Sequence, residues 1–267
     1  MVNKEFENKN EWAIILGGSS GLGFATAQKL AKHGLNLCLL YRARRADVLQ
    51  IEGSFKAIQS EHKVQVLHLN ADITKEETRA NTLNRLEAAI GKMGKVKILI
   101  HSIAKGNLKP MFSEETPELK NNDFHLTLEN MALSLYDWTK SIFKASLFAD
   151  DARIVSFTSE GNKKAWENYA AVSTAKVALE AISRNIALEF APYGIKANCI
   201  EAGITDTASF KMIPGSEELK AHAIKRNPFK RLTRPEDVAN VVYLLAKKEA
   251  AWITGSIIPV NGGEHLN

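Results

Sequence analysis

Cysteine and aromatic residues are scarce in this chain of 267 residues, which has 2 cysteines and 7% aromatic side chains. Cys38 and Cys199 each lie in an apolar stretch, which predicts two buried thiols in a reducing compartment rather than a disulfide. The few aromatic residues do not alternate with basic ones, which argues against a stacking surface for single-stranded nucleic acid. We therefore expect no nucleic-acid partner, although a net charge of +5 permits an anionic ligand.

Long apolar runs are also missing, since none approaches the roughly 18 residues that a membrane span needs. The first ten residues are polar and mixed in charge, unlike a secretory signal. These two absences predict a cytoplasmic protein that does not contact membrane. Histidine and cysteine do not occur at the spacing of metal ligands, so we expect no metal site.

Short apolar runs are present, and they alternate with segments of helical period. The runs predicted as strands are residues 12–16, 35–40, 64–69, 96–100, 153–157, 197–200 and 256–260. Such alternation predicts an α/β fold, a doubly wound parallel sheet (Rossmann fold) with helices on both faces. No linker divides residues 1–267, which predicts a single domain. Residues 206–234 carry no clean period and predict an insertion of helix and loop.

A glycine-rich turn joins the first predicted strand to the first helix, with the pattern Gly17-x-x-x-Gly21-x-Gly23. Glycines at this spacing let the backbone approach a pyrophosphate at the helix N-terminus. A glycine triplet alone also ends strands for structural reasons, but its place in the first strand-turn-helix unit favours a dinucleotide site. The other candidate contacts in the turn are Ser19, Ser20 and Leu22.

The end of the second predicted strand bears on the choice of dinucleotide. An NAD enzyme is expected to carry a ribose-binding acid there, but residues Tyr41–Arg45 contain no carboxylate before Asp47. A guanidinium such as Arg42 suits the 2′-phosphate of NADPH, which we therefore predict in preference to NADH. The alternative is a solvated basic turn. Asp72 and Ile73, after the third strand, are placed to meet the adenine.

The chemistry is predicted on the helix that follows the fifth strand. Lys176 comes seven residues after Tyr169, and at about 100° per residue the two lie within roughly 20° of the same helix face. With Tyr169 on the first turn, a phenol and an ammonium point into one cleft. Tyrosine and lysine at this spacing also occur on many amphipathic helices, so the glycine turn is needed to favour catalysis.

Taken together, these residues resemble the short-chain dehydrogenase/reductase family over residues 11–264. The glycine turn is similar to that family's TGxxxGxG motif, with Leu16 in place of threonine. Further segments in family order are Asp72–Ile73, Asn198, Ala202–Gly203, Arg231–Val238 and Val260–Gly263. Most members space tyrosine and lysine by four residues, whereas the residue four before Lys176 is Val172.

The Tyr-x6-Lys spacing resembles the divergent enoyl-acyl-carrier-protein reductases, and His101–Ala104 is similar to their segment after the fourth strand. Ser156–Gly161, followed by Glu167-Asn-Tyr169, resembles most the NADPH-dependent type called enoyl reductase III. A tyrosine set back by about 4.5 Å of helical rise favours conjugate reduction, because charge then develops two carbons beyond the carbon that accepts hydride. Carbonyl reduction needs the proton donor one bond away.

The resemblance assigns roles to individual residues. It implies that Tyr169 steadies the enolate, that Lys176 holds the nicotinamide ribose, and that Ser159 orients substrate or tyrosine. The family's relay asparagine falls at Met131, next to Asn130. Further cofactor contacts implied by the resemblance are Ser102, Ile103, Ala104, Gly203, Thr205 and Thr207.

The resemblance also implies partners. The insertion is expected to cover the cofactor's nicotinamide end and the substrate. It carries the basic residues Lys211, Lys220, Lys225, Arg226, Lys230 and Arg231, against Glu217 and Glu218. A basic rim suits an acidic acyl carrier protein bearing the acyl thioester, and a solvated charged face is the alternative. The family likeness further implies a homotetramer.

The sequence therefore predicts an NADPH-dependent enoyl-thioester reductase of fatty acid synthesis. Two alternatives remain open at this point: a 3-oxoacyl or other carbonyl reductase of the same family, and a nucleotide-binding protein without catalysis.

Overall fold

The computed structural model of the protein describes residues 4–266. In that part of the chain a seven-stranded sheet is formed, and its neighbouring strands all pair in parallel. The strands are Glu11–Leu16 (β1), Asn36–Tyr41 (β2), Val66–Asn70 (β3), Lys95–His101 (β4), Phe148–Thr158 (β5), Ile195–Ala202 (β6) and Ile257–Val260 (β7). Their order across the sheet is β3-β2-β1-β4-β5-β6-β7. The predicted doubly wound α/β fold is confirmed.

Helices cover both faces of the sheet. They are Gly21–Lys32 (α1), Arg45–His62 (α2), Glu76–Ile90 (α3), Asn121–Leu128 (α4), Ser134–Lys144 (α5), Ala170–Glu189 (α6), Ala208–Lys211 (α7), Ser216–Arg226 (α8) and Pro235–Ala246 (α9). Alternate residues of β1 enter two separate apolar cores: Ala13 and Ile15 pack with α1, α2 and α9, and Ile14 and Leu16 with α3, α5 and α6. Both faces of β1 are therefore dry, which explains its continuous apolar sequence.

Residues 4–266 contain neither a membrane-spanning helix nor a cluster of metal ligands. Every helix there is too short or too polar to span the apolar core of a bilayer. No three histidine, cysteine, aspartate or glutamate side chains in the same range are grouped as metal ligands.

The start of β5 differs from the prediction, which placed it at Arg153. The strand begins at Phe148, because Asp150 and Asp151 belong to it although they interrupt the apolar pattern. The Asp151 carboxylate accepts hydrogen bonds from Lys97 on β4, Arg153 on β5 and Lys196 on β6. Hydrogen bonds from these cations outweigh its burial and hold the pKa of Asp151 far below its usual value. A carboxylate is tolerated inside the strand because neighbouring strands supply cations.

The sequence of residues 118–147 predicts a mainly helical region, but in the structure the helix begins at Asn121 and is interrupted. Between α4 and α5 the residues Glu129–Leu133 form one wider, π-helical turn. The Ser134 hydroxyl, one residue later, donates to the Asn130 carbonyl over 2.7 Å. Such turns distort the regular ladder and commonly occur beside functional sites.

The two cores predict a strong contrast between matched leucines. Leu86 on α3 is 0% exposed, and Leu49 on α2 is 83% exposed. We expect Leu86→Ala to lower the free energy of unfolding by about 2–5 kcal/mol, because it leaves a cavity. Leu49→Ala serves as the control and is expected to change it by less than about 0.5 kcal/mol. Urea titration of both variants measures the difference, and equal effects would contradict the assigned core.

Candidate active site

A cleft with a cavity volume of about 490 Å³ opens at the carboxyl ends of the strands. This is within the range of roughly 300–1,000 Å³ that small-ligand sites occupy, and it lies where open α/β sheets bind ligands. The predicted site residues that line it are Gly17, Ser19, Ser20, Gly21, Leu22, Arg42, Asp72, Ile73, Ser102, Ile103, Ala104, Ser159, Tyr169, Lys176, Gly203, Thr205 and Thr207. Gly23 is not among the lining residues.

The glycine turn is built so tightly that side chains would not fit. Gly17 has φ +87°, and a Cβ there would lie 2.2 Å from the Ser102 carbonyl oxygen. A Cβ on Gly23 would lie 2.1 Å from the Gly17 carbonyl oxygen, so Gly23 serves the packing of α1 against the turn. Ser20, which precedes α1, makes no side-chain cap. The first N–H groups of α1 thus face the cleft as an anion site that fits a pyrophosphate.

The opposite end of the turn carries the candidate adenosine contacts. Arg42 Nη1 donates to Asp72 Oδ2 over 2.8 Å, and the other Asp72 oxygen accepts from Thr74. Burial opposes ionisation of Asp72, but the hydrogen bonds from Thr74 and the charge of Arg42 outweigh it and lower its pKa. Lys105, which sequence reasoning did not single out, also lines the cleft and acts on Asp72 in the same direction. Two cations therefore flank the carboxylate at this end.

Tyr169 does not lie on the first turn of α6, as the sequence suggested, but directly before the helix. Its φ of −110° and ψ of 0° are not helical, and Asn168 before it has φ +61°, a conformation that asparagine tolerates. The ring lies 5.2 Å from the Trp166 ring, centroid to centroid. A Cβ on Gly161 would lie 2.6 Å from Tyr169 Cε1. The phenol is thus fixed by its neighbours rather than by the helix.

The Tyr169 hydroxyl lies in a largely dry part of the cleft. Burial raises the pKa of Tyr169, and the nearby Ser159 hydroxyl opposes this rise. The two hydroxyls nevertheless do not meet the geometry of a hydrogen bond, and Ser159 Oγ is buried without a partner among the described residues. A buried hydroxyl without a partner is costly, so this position fits a polar atom of a ligand.

Lys176 lies on α6 with its ammonium buried. Its Nζ donates to the Phe157 carbonyl oxygen at the end of β5 over 2.6 Å. Burial lowers the pKa of Lys176 to about 8, and Cys199 and Glu180 act in the opposite direction. With that value the side chain is mostly a cation at neutral pH. The nitrogen keeps further N–H donors for a ligand.

The residues at the relay position do not offer a free amide. Asn130 Nδ2 donates back to the Leu126 carbonyl oxygen over 2.8 Å, and Met131 packs in an apolar cluster with Tyr169 and Val172. His101 Nε2 contacts Ser134 Oγ at 2.8 Å. Burial, aided by the Lys176 charge, lowers the pKa of His101 to about 3. It is therefore a neutral packed residue and not an acid.

An apolar wall, which sequence reasoning missed, completes the cleft. Its members are Leu108, Trp166, Val172, Phe210, Met212 and Ile213. Phe210 belongs to α7 and is followed by Met212 and Ile213, so residues of the insertion line this part of the cleft. Trp166, three residues before Tyr169, was the one sequence signal. Val172 lies on the predicted helix of Lys176, whereas Leu108, Phe210, Met212 and Ile213 lie in segments for which the sequence showed no clean period.

The predicted basic rim is mostly neutralised by local ion pairs. Lys211 and Lys220 share Asp206, at 3.3 and 3.0 Å. Arg231 pairs with Asp237 at 2.6 Å. Arg226 is half-buried and pairs with both Glu160 and Glu264. The rim is thus less basic than the sequence suggested, since acidic side chains from the insertion, from α9 and from the distant Glu160 and Glu264 pair with it.

Comparison with known proteins places this cleft in a family. Residues 17–265 match the protein family described as enoyl-(acyl carrier protein) reductase. The chain is similar to the crystal structure of the enoyl-[acyl-carrier-protein] reductase (NADH) of Aquifex aeolicus VF5, with 25% identity, a TM-score of 0.80 and 98% of each chain covered.

Two curated relatives carry different activities. The chain is 26% identical to the peroxisomal 2,4-dienoyl-CoA reductase of Danio rerio, over 95% of this chain and 81% of that protein. It is 28% identical to the 2,3-dihydroxy-2,3-dihydro-p-cumate dehydrogenase of a Pseudomonas putida strain, over 95% of this chain and 94% of that protein. Relatives thus include both reductases and dehydrogenases.

The turn geometry predicts the effect of adding one methyl group. We expect Gly17→Ala to weaken dinucleotide binding by about tenfold or more, because the φ and the Ser102 carbonyl both oppose a Cβ. Gly53→Ala in α2, where a Cβ meets nothing within 4 Å, is the matched control. Calorimetric titration of both variants with NADH and NADPH measures the effect. Unchanged affinity in Gly17→Ala would refute the assigned pyrophosphate site.

Proposed function

Because the chain belongs to the short-chain dehydrogenase/reductase family of oxidoreductases, in the group described as enoyl-(acyl carrier protein) reductase, we propose that it is an NADPH-dependent reductase of 2-enoyl thioesters. Within that group we propose the enoyl reductase III type. Its substrate is then an acyl thioester on an acyl carrier protein in fatty acid synthesis. The homotetramer implied by the resemblance belongs to the same proposal.

The observation that carries the proposal is the position of the tyrosine relative to Lys176: Tyr169 lies seven residues before the lysine, and Val172 occupies the position four residues before it. Val172, four residues before Lys176, is buried against Met131 and Tyr169 and offers no hydroxyl. The phenol comes instead from Tyr169, which stands before the first turn and is held against Gly161. A proton donor set back in this way suits an oxygen two carbons beyond the carbon that is reduced.

In this proposal Tyr169, Lys176 and Ser159 each have a separate role in conjugate reduction. NADPH, when bound, supplies the hydride that the β-carbon of the enoyl group accepts. Tyr169 donates a hydrogen bond to the thioester oxygen, where negative charge develops as the double bond is reduced. Lys176 binds the nicotinamide ribose hydroxyls and, as a nearby cation, favours the polarised phenol. Ser159, whose hydroxyl has no partner among residues 4–266, orients the thioester.

The apolar wall supports an acyl substrate. Leu108, Trp166 and Ile213 present apolar surface beside Tyr169, as an alkyl chain requires. The name of the Danio rerio relative also describes a reductase of an unsaturated thioester. For carriage on an acidic protein, Lys225 and Lys230 are the exposed lysines of the insertion that carry no ion pair within residues 4–266.

The cations at the adenosine end support NADPH over NADH. Arg42 donates one N–H to Asp72 and has other N–H groups left for a ligand. Lys105 also lines the cleft and is close enough to Asp72 to affect its pKa. A 2′-phosphate accepts hydrogen bonds from both kinds of side chain.

Parallel assays test the function. Oxidation of NADPH is followed with a crotonoyl thioester, a 2,4-hexadienoyl thioester and an acetoacetyl thioester. We expect turnover of the crotonoyl thioester and a fall in kcat of about 10²-fold or more in Tyr169→Phe, through loss of a transition-state hydrogen bond. Tyr193→Phe, at an exposed tyrosine beyond α6, is the control. Turnover of the acetoacetyl thioester alone would make the protein a carbonyl reductase. NADPH binding without any turnover would make it a nucleotide-binding protein.

Cofactor preference has its own test. Arg42→Ala is expected to weaken NADPH binding by about tenfold to hundredfold, as loss of a charged hydrogen bond does, and to leave NADH binding nearly unchanged. Arg85→Ala, on the exposed face of α3, is the control. Calorimetry with both cofactors measures the ratio. Equal loss for NADH and NADPH would remove the 2′-phosphate role.

A further inference from the structure

Glu180 is a buried carboxylate that is absent from the lining of the cleft in the described chain. It lies on α6 one turn beyond Lys176 and is 6% exposed. Its Oε1 accepts a hydrogen bond from Thr158 Oγ1 over 2.5 Å and another from the Asn162 side-chain amide. Burying a carboxylate is costly unless donors and positive charge surround it. Here Thr158 and Asn162 supply the donors, and Lys176 supplies the positive charge. The two charged groups are close enough for Glu180 to favour the protonated form of Lys176.

These bonds join α6 to the segment of residues 158–162. Lys176 binds the carbonyl of Phe157, and Glu180 binds the side chain of the next residue, Thr158. The helix therefore holds the end of β5 at two successive residues. The Asn162 bond closes the segment at its other end.

The same segment carries the polar and steric features of the site. Ser159 presents its hydroxyl without a partner among the described residues. The Gly161 backbone fits so closely against the Tyr169 ring that a Cβ would lie 2.6 Å from it. Where this segment lies thus decides where the serine hydroxyl and the phenol lie.

We propose that Glu180 is a positioning residue for the reduction, whose carboxylate holds residues 158–162 so that Ser159 and Tyr169 face the reacting thioester. This rests on the proposed function, because it assumes that both hydroxyls act on the substrate. Glu180 itself touches neither substrate nor cofactor.

Three variants test these contacts. Thr158→Val and Asn162→Ala each remove one donor to Glu180, and Glu180→Gln removes the negative charge that strengthens both bonds. We expect Glu180→Gln and Thr158→Val to lower kcat for the enoyl thioester by about tenfold or more, because a shift of roughly 1 Å can cost 10²-fold. The dissociation constant of NADPH should stay within about twofold, since the glycine turn and Arg42 are untouched. Glu189→Gln, at an exposed position of the same helix, is the control and should match the unaltered protein.

Tryptic cleavage after Lys163 and Lys164 supplies a readout that does not depend on turnover. Both lysines are exposed and follow the segment, so loosening it should speed cleavage in the three variants but not in the control. Unchanged kcat, an equal loss of NADPH affinity, or unchanged cleavage each overturns the proposal. Should Glu180→Gln fail to fold, Thr158→Val and Asn162→Ala decide.

The outcome is separable from the proposed function. If the unaltered protein reduces no enoyl thioester, the proposed function fails. The positioning of residues 158–162 is then judged by cleavage alone, and unchanged cleavage in the three variants overturns it.

Discussion

The hydrogen bond from the buried Lys176 ammonium to the Phe157 carbonyl is the contact on which the site depends. A buried cation must find acceptors, and a strand end leaves a carbonyl that can serve. This bond fixes α6 against the carboxyl end of β5. Once the helix is fixed there, Tyr169 directly before it and Glu180, one turn beyond Lys176, both contact the segment that carries Ser159.

Much of the fold could be predicted because the parallel strands are buried on both faces. That burial makes runs such as Trp12–Leu16 continuously apolar, which a sequence displays directly. The glycine turn was also visible, since only glycine adopts the φ of Gly17 with a carbonyl so near. Features determined by the local backbone can be read along the chain, and most candidate site residues follow strands at their carboxyl ends.

What could not be predicted depends on contacts between distant segments. Asp151 reads as a strand breaker until Lys97 and Lys196 are brought beside it by the register of the sheet. The ion pairs of Lys211 and Lys220 with Asp206 were missed for a different reason, since Asp206 lies in the same insertion but a count of charges does not show which side chains pair. Tyr169 was displaced by one residue from its expected turn, because the backbone before the helix, and not helical period, orients it.

The insertion also forms hydrogen bonds with the segment of residues 158–162 that α6 contacts. Arg226, at the end of α8, donates to Glu160 and to Glu264, so the insertion is joined both to the residue after Ser159 and to the C-terminal turn. Glu160 is therefore bonded by the insertion, while Thr158 is bonded by Glu180 of α6. Both residues beside Ser159 are engaged by side chains, which leaves the Ser159 hydroxyl itself for the ligand. The insertion, which lines the cleft, and α6, which carries Lys176, are thus joined through the same residues 158–162.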